Sequence, residues 1–422
     1  MRPIAFGRLL ACMFLFVCGS AQAMGTFVPA ASRSDMAYDD QRGLVYIASG
    51  DRVLRYRVAD GTFLSPVVTG GSLRSLDVSP DGRSLAVADS SHDAERVWVH
   101  VVDLDTLAAT RLEAPVDFHE DGTWSVSYAY DGSLFATGRF AGSGWVPLRR
   151  FSADGEATVV TEVMQDTMLS ASGDRKVVAF AESNISDGRW GRIDAVTGQV
   201  VHRQWYEDGT SAFNYEIATN ADGSQYAIPT YAGTLVYDAA YARVATIGEY
   251  AGGQPVGLAY HPVDDLAYFP WAGTSEVRVY DMEFVEPVGA YDLGQPFDHT
   301  GNWAYGAGRT RLSGDGSLLM VSVDGGVRIL RMYAPLRADP VTARIDARKA
   351  RLKSLIPLRG VVGNGGKLAY EIVTQPAYGR AALAGTSATY TPLPGFSGTD
   401  SFVYRVRYGR AWADATVTVS VE

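Results

Sequence analysis

Three stretches of this sequence crowd histidine, carboxylate and tryptophan side chains together. They are Asp117-Phe118-His119-Glu120-Asp121-Gly122-Thr123-Trp124, Trp205-Tyr206-Glu207-Asp208-Gly209-Thr210 and Phe297-Asp298-His299-Thr300-Gly301-Asn302-Trp303. Imidazole beside carboxylate is the donor set of a zinc-like ion, through His119, His299 and their acidic neighbours. Indole beside carboxylate instead suits a polar organic ligand, a glycan or a cationic peptide. Further loop-like stretches add Trp145, Trp190 and Trp271, with Asp89, His92, Asp93, Glu182 and Asp187. The ligand-binding set expected from the sequence is therefore Trp124, His119, Trp145, Trp190, Trp271, Asp298, His299 and Trp303. No residue is assigned a catalytic role, no metal-ligand set is assigned, and no cofactor is expected. The competing reading is that the tryptophans pack the loops and the histidines are ordinary surface groups. The sequence holds no HExxH, GxSxG, SxxK, P-loop or EF-hand pattern. Gly363-Asn364-Gly365-Gly366-Lys367-Leu368 is superficially like a phosphate loop, but no Ser or Thr follows its lysine, and it reads as a turn.

The elements that must position these residues repeat along the chain. Taking Asp40, Asp81, Asp131, Asp174, Asp222, Asp264 and Asp315 as anchors, the spacings are 41, 50, 43, 48, 42 and 51 residues. A short apolar run precedes each anchor, and two further runs follow it, the second often ending in a charged residue. Each unit reads as an antiparallel meander too thin to hide its apolar faces alone. Stacking such units radially buries those faces, and closing the ring removes most exposed edges. A period in the forties suits one blade of a β-propeller, so the fold class is all-β, with seven blades over residues 24–338. The loops entering the blades and those joining the second and third strands share one face, which carries the candidate residues. The last repeat lacks an outer strand, because Met332 runs directly into Ala334-Pro335. Thr26 to Pro29 is expected to pair there and latch the ring.

The stretch Gly253-Gln254-Pro255-Val256-Gly257-Leu258-Ala259-Tyr260-His261-Pro262, continuing to LAYFPWAGTSEVRVYD, resembles the bacterial YVTN-type propeller repeat. SLDVSPDGRSLAVAD resembles the same repeat. The resemblance implies a fold rather than an activity. From Ile356 onward the text closely resembles the bacterial Ig-like, or cadherin-like, module. Its signatures are Gln375-Pro376-Ala377-Tyr378-Gly379, the run YTPLPGFSGTDSFVYRV from Tyr390 to Val406, and a terminal alternating ATVTVSV strand. Members of that group often carry an acidic calcium turn after the IPL strand. This chain has Val362-Gly363-Asn364-Gly365-Gly366, which lacks the carboxylates a hard cation needs. Residues 339–355, rich in Arg and Lys, read as a basic linker before an Ig-like β-sandwich over 356–422.

At the N-terminus, Arg2 and Arg8 precede a short apolar run, and Ala21-Gln22-Ala23 offers a small-residue cleavage site. This reads as a signal peptide over residues 1–23, too short to span a bilayer. Cys12 and Cys18 would leave with it, so the mature chain has no disulfide and no thiol nucleophile. The expected location is the periplasm or the exterior, with no membrane span. Without Arg2 and Arg8 the chain carries 35 basic and 47 acidic residues, a net charge of −12. From Val341 onward 11 basic residues face 5 acidic ones, so that part is +6 and residues 24–340 carry −18. An acidic body argues against nucleic acid as a partner. The function expected is a secreted cell-envelope binding or scaffold protein, its propeller face recognising a protein or polysaccharide and the Ig-like module acting as spacer. The alternative is a propeller hydrolase of lactonase type, with a polar or metal site in the central funnel.

Overall fold

The computed structural model describes residues 24–183, 185, 188–204, 214–249, 253–297, 304–332, 337–346, 355–361, 368–408 and 411–422. The signal-peptide segment 1–23, Asp187, the 205–210 stretch, the turn at 362–367 and Asp298, His299 and Trp303 lie outside the described residues. Among those described none is helical, and no helix is long and apolar enough to cross a membrane.

After a short first strand, β1 (Thr26–Pro29), the strands fall into consecutive four-stranded antiparallel sheets. Blade 1 is β2–β5 (33–68), blade 2 β6–β9 (73–115), blade 3 β10–β13 (120–164) and blade 4 β14–β17 (168–204). Blade 5 is β18–β21 (218–247) and blade 6 β22–β25 (259–292). Blade 7 joins β26–β28 (310–331) to β1, in the order β1-β28-β27-β26. In each blade the first strand after the preceding loop is innermost. Consecutive innermost strands lie against one another all the way round, and that of blade 7 returns to that of blade 1. Among the described residues, these seven four-stranded sheets form a β-propeller.

Burial explains why the second strand of each repeat reads as a continuous apolar run. Val177–Ala181 in blade 4 is buried along its whole length, whereas the outermost strand of blade 1, Thr62–Val68, is mostly exposed. Neighbouring blades cover both faces of a middle strand, so no polar alternation survives there. A separate hydrophobic cluster fills each blade junction, as Leu44, Tyr46, Leu76 and Leu85 do between blades 1 and 2. The anchor aspartates sit in the turns leaving the innermost strands, and Asp81, Asp131, Asp174, Asp222 and Asp315 hold those turns by local bonds. Asp81 Oδ1 accepts from Ser79 Oγ at 2.6 Å and Arg83 N at 3.1 Å. Asp315 repeats this with Ser313 Oγ at 2.6 Å and Ser317 N at 2.9 Å. Such Asx turns are why the repeat is punctuated by aspartate. The charged ends of the third strands have the same cause: Asp103 Oδ1 accepts from the backbone of Asp105 and Thr106, and Asp194 Oδ1 from that of Val196 and Thr197. Both turn series lie on the lower face, so turn chemistry makes that face acidic.

The ring closes as the sequence suggests. Thr26 pairs with Ile329, Phe27 with Arg328, Val28 with Val327 and Pro29 with Gly326. Val28 is fully buried in a cluster shared by blades 7 and 1, with Met36, Ile47, Leu318 and Ile329. Just before it, Gly25 has φ +80, and a Cβ there would stand 2.6 Å from the Ile329 carbonyl oxygen. Only glycine lets the chain turn so close to β28.

The C-terminal domain is a sandwich with two main sheets, one ordered β30-β37-β36-β33 and the other β31-β35-β34. The strands are β29 (Arg337–Asp339), β30 (Val341–Ile345), β31 (Leu355–Pro357), β32 (Arg359–Val361), β33 (Ala369–Thr374), β34 (Gly379–Ala384), β35 (Ser387–Pro392), β36 (Gly398–Tyr408) and β37 (Ala411–Val421). The expected basic linker needs correction here. Val341–Ile345 forms an edge strand parallel to β37, and Arg337–Asp339 pairs with β32. Ile345 is buried in the sandwich core while Thr342 and Arg344 face out, so Arg344 decorates a strand edge, and Arg348, Lys349, Arg351 and Lys353 lie outside the described residues. The sequence signatures also acquire a physical cause. Buried Asp400 accepts from the Tyr390 hydroxyl at 2.7 Å and from the backbone N–H of Ala377 and Tyr378 at 3.1 and 2.9 Å. It thereby ties the Gln375–Gly379 turn to β35.

Removing residues 24–30 deletes the fourth strand of blade 7 and uncovers its core. Scanning calorimetry should show the propeller transition fall by about 5 °C or more, given about 2 °C per kcal/mol for a domain of this size. An unchanged transition would mean the ring holds without the latch.

Candidate functional site

Seven residues before each anchor aspartate, the innermost strands reach the upper end of the central channel. Blades 1, 2 and 3 place Arg33, Arg74 and Trp124 there. Their innermost strands each carry a register break at this level: between Arg33 and Met36, between Leu73 and Leu76, and on both sides of Thr123. Bulges of this kind re-aim side chains at a strand end. The result is a cavity of about 430 Å³ at the upper mouth, lined among others by Arg33, Arg74, Arg139, Trp124, Asp166 and Tyr305.

Trp124 is only 5% exposed. Its ring lies edge-on to Tyr305 with centroids 5.0 Å apart, and the Tyr305 hydroxyl donates to the Trp124 carbonyl at 2.6 Å. The guanidinium carbons of Arg74 and Arg139 stand 5.3 and 6.0 Å from the indole centroid. Arg74 Nε donates to Ser90 Oγ at 2.9 Å, and Arg139 pairs with Asp121 at 3.3 Å. Burial lowers the Arg33 guanidinium from its ordinary value; burial and then the charge of Arg139 lower that of Arg74.

Below Tyr305 the channel is closed by a buried ionic network drawn from opposite sides of the ring. Arg309 Nε and Nη2 donate to the two oxygens of Asp35 at 2.9 and 3.1 Å, and Arg309 Nη1 donates to Glu216. Arg311 Nη2 adds a bond to Asp35 at 2.8 Å, and the Ser75 hydroxyl another at 3.2 Å. Blades 1, 2, 5 and 7 are thereby joined across the axis. Burial, reinforced by the charge of Asp35, pushes the Glu216 carboxyl up to about 7 against the pull of both arginines. Beneath this plug a second cavity of about 380 Å³ opens on the acidic face, with Arg311, Arg175 and Asp77 among its lining.

The structure separates the residues singled out in the sequence. Trp124 lines the upper mouth. His119 is exposed on the rim in a left-handed conformation (φ 56), between Phe118 at 4.0 Å and Phe140 at 5.6 Å. Trp145 is 45% exposed and lies under Arg189 and Arg203, at 4.3 and 5.2 Å, outside the mouth. Trp190 is 2% exposed, packed among His202, Tyr226 and Tyr237 between blades 4 and 5. Trp271 is buried between blades 5 and 6 with Arg278 stacked 3.8 Å above it. Asp298, His299 and Trp303 lie outside the described residues.

Among the described residues, the upper-face carboxylates Asp89, Glu120 and Glu182 are likewise spent internally. Asp89 accepts from Trp98 Nε1 at 2.8 Å and from the Ser72 backbone at 2.7 Å, with His100 Nε2 at 2.9 Å. Burial alone would raise its carboxyl, yet the bonds from His100, Ser72 and Trp98 hold it down at about 2. Glu120 is buried against Arg149, with one bond of 2.7 Å, and Glu182 pairs with Arg189 and Arg203. Among the described residues no three His, Cys, Asp or Glu side chains gather where they could hold a metal. Sequence reading missed Arg33, Arg74 and Arg139 because arginine in a strand carries no local signature. The shared position seven residues before the anchor would have exposed two of them.

A β-propeller is the class of fold defined by this geometry, and known structures share that fold. A chain of Kuenenia stuttgartiensis hydrazine synthase is similar over 74% of this chain and 99% of its own, with 16% identity and a TM-score of 0.54. A chain of a mitotic checkpoint complex is similar over 79% and 99%, with 15% identity and a TM-score of 0.55. The β-propeller domain of Myceliophteria thermophila Cps50 (Swd1) is similar over 74% and 100%, with 12% identity and a TM-score of 0.53. At such identities the likeness is one of fold. Residues 334–420 match the bacterial Ig domain family, and that match takes in the β29 and β30 strands. No curated protein matches this sequence.

Glu216 gives the plug a pH signature. Its carboxyl rises from 4.5 to about 7 on folding, so the folded state binds more protons between these values. Stability from this group should fall as pH rises from about 4.5 to about 7, and Glu216→Gln should remove that part of the slope. Chemical unfolding at several pH values measures it; an identical slope in the variant would contradict the assignment. Asp35→Asn, which leaves Arg309 with Glu216 as its remaining carboxylate, should cost about 3 kcal/mol in the same assay.

Proposed function

We propose that this chain is an extracytoplasmic binding or scaffold protein of the bacterial cell envelope, exported by its first 23 residues. In this reading the propeller, of YVTN type by its repeat, recognises a protein or glycan partner through its upper mouth. The Ig-like domain is the spacer that presents it. The observation that carries the reading is the mouth itself, an open cavity of about 430 Å³ with indole, phenol and guanidinium groups at its wall. These groups recognise and orient; they neither attack a substrate nor shuttle its protons at neutral pH. The plug supports the same conclusion, because Asp35, Glu216 and Arg309 satisfy one another.

Blocking the mouth tests this. Ser32 is exposed and lines the cavity, so Ser32→Trp should fill it without disturbing the core. The purified chain should retain envelope glycans or proteins on an array, and the variant should lose that retention with its melting transition unchanged. Equal retention by both would move recognition elsewhere. Turnover of lactone or ester substrates by the unmodified chain, abolished by Glu216→Gln, would instead establish the lactonase-type alternative.

A further inference from the structure

The charge at the upper mouth runs against the charge of the body that carries it. Residues 24–340 hold a net −18, yet among the described residues the mouth gathers Arg33, Arg74 and Arg139 against Asp166. The paired turn aspartates account for much of the acidity, and they sit on the lower face, below the plug. The three upper guanidiniums converge from separate places, two innermost-strand ends and the second strand of blade 3. Folding has therefore brought like charges into one half-buried cavity, where each raises the cost of the others.

Structural needs do not account for the whole arrangement. Arg139 is answered by Asp121, and Arg74 reaches the neutral hydroxyl of Ser90. Among the described residues, Arg33 Nε and Trp124 Nε1 are buried without a hydrogen-bond partner. A buried donor left unmade costs about 1–3 kcal/mol, so both groups would gain from an acceptor that reached them. The acceptor that answers guanidinium groups best is a planar oxyanion, bound through two parallel N–H bonds. The cavity, about 430 Å³, is near the small end of ligand pockets and fits one or two rings rather than an extended chain. Ser32 and Ser72 contribute hydroxyl-bearing walls, which suit a ligand that is itself polyhydroxylated. Trp124 and Tyr305 supply an aromatic wall, the usual partner of the C–H face of a sugar ring.

We propose that the upper mouth binds the carboxylate of an acidic sugar, a uronic acid held by Arg33, Arg74 and Arg139 against Trp124. The inference rests on the binding role assigned to that mouth and names its ligand class. The sugar acid can be free or the terminal unit of a polysaccharide, since both present the same group. A cationic ligand, the other class suited to indole and carboxylate, is disfavoured by the three arginines.

Isothermal titration of the full-length mature chain with glucuronate, galacturonate and a galacturonic acid oligomer tests the proposal, with glucose as the uncharged control. Glucuronate or galacturonate should bind and glucose should not, with affinity falling as salt is raised. Arg74→Gln and, separately, Arg33→Gln should each weaken binding about tenfold or more, the worth of a charge-assisted bond. Two substitutions guard against one that merely unfolds the protein, and the calorimetric transition of each reports folding. A free sugar acid binding as tightly as the oligomer marks the single unit as the ligand, and a much tighter oligomer marks the chain end. Equal binding of glucose, indifference to both arginine variants, or capture of a polyglutamate peptide in place of the sugars would each overturn the ligand class. If envelope retention is still lost on Ser32→Trp in that event, the mouth remains the binding site and only the ligand is wrong. If Ser32→Trp changes neither retention nor uronate binding, the site itself fails.

Discussion

Ring closure through the pairing of β1 with β28 is the constraint on which the architecture rests. Each blade is a sheet with two apolar faces and is stable only when both are covered by neighbours. Six junctions form between blades that follow one another along the chain. The seventh must join the two ends of the repeat array, and it contains Val28, Met36, Leu318 and Ile329 from both ends. The latch thus converts a stack with two open faces into a wheel with none.

The buried ionic network adds a second tie, across the axis. Arg309 answers both Asp35 and Glu216, so side chains of blades 7, 1 and 5 meet where the channel would otherwise be open. Buried ion pairs seldom add much net stability, because desolvation consumes most of what attraction returns. Their value here is geometric, since the network divides the channel into an upper mouth and a lower one. The division keeps the acidic turns of the lower face away from the guanidinium groups of the upper face. One molecule of strongly negative charge can then present a locally positive cavity.

The fates of the polar residues follow one rule: side chains near strand ends and loops are used first to satisfy the blade that bears them. Asp89 holds Trp98, His100 and the backbone of Ser72 together, and Glu120 meets Arg149 inside blade 3. Trp190 and Trp271 fill blade junctions. Among the described residues, what remains at the upper mouth after this internal pairing is arginine-rich. The Ig-like domain shows the same economy, with Asp400 spent on fastening the Gln375–Gly379 turn.

Local chemistry in the sequence determined the repeat and the latch, and the Ig-like sandwich was legible through its resemblance to the bacterial Ig-like module. Aspartate turns and apolar runs act within a few residues, so their spacing survives in the linear text. The fate of each candidate side chain was decided by the tertiary structure. Trp124 and Trp190 look alike in sequence, yet one lines a cavity and the other fills a junction, because the innermost strand β10 and the third strand β16 place them at different radii. Arg33 and Arg74 share only their distance from the anchors, Arg139 lacks even that, and the three meet at one cavity only because the wheel curls three strand ends toward one axis. The edge strand Val341–Ile345 was hidden in the same way, its partner β37 lying some seventy residues further on. Pairing over that distance depends on the closed fold, and no short-range pattern of basic and apolar residues encodes it.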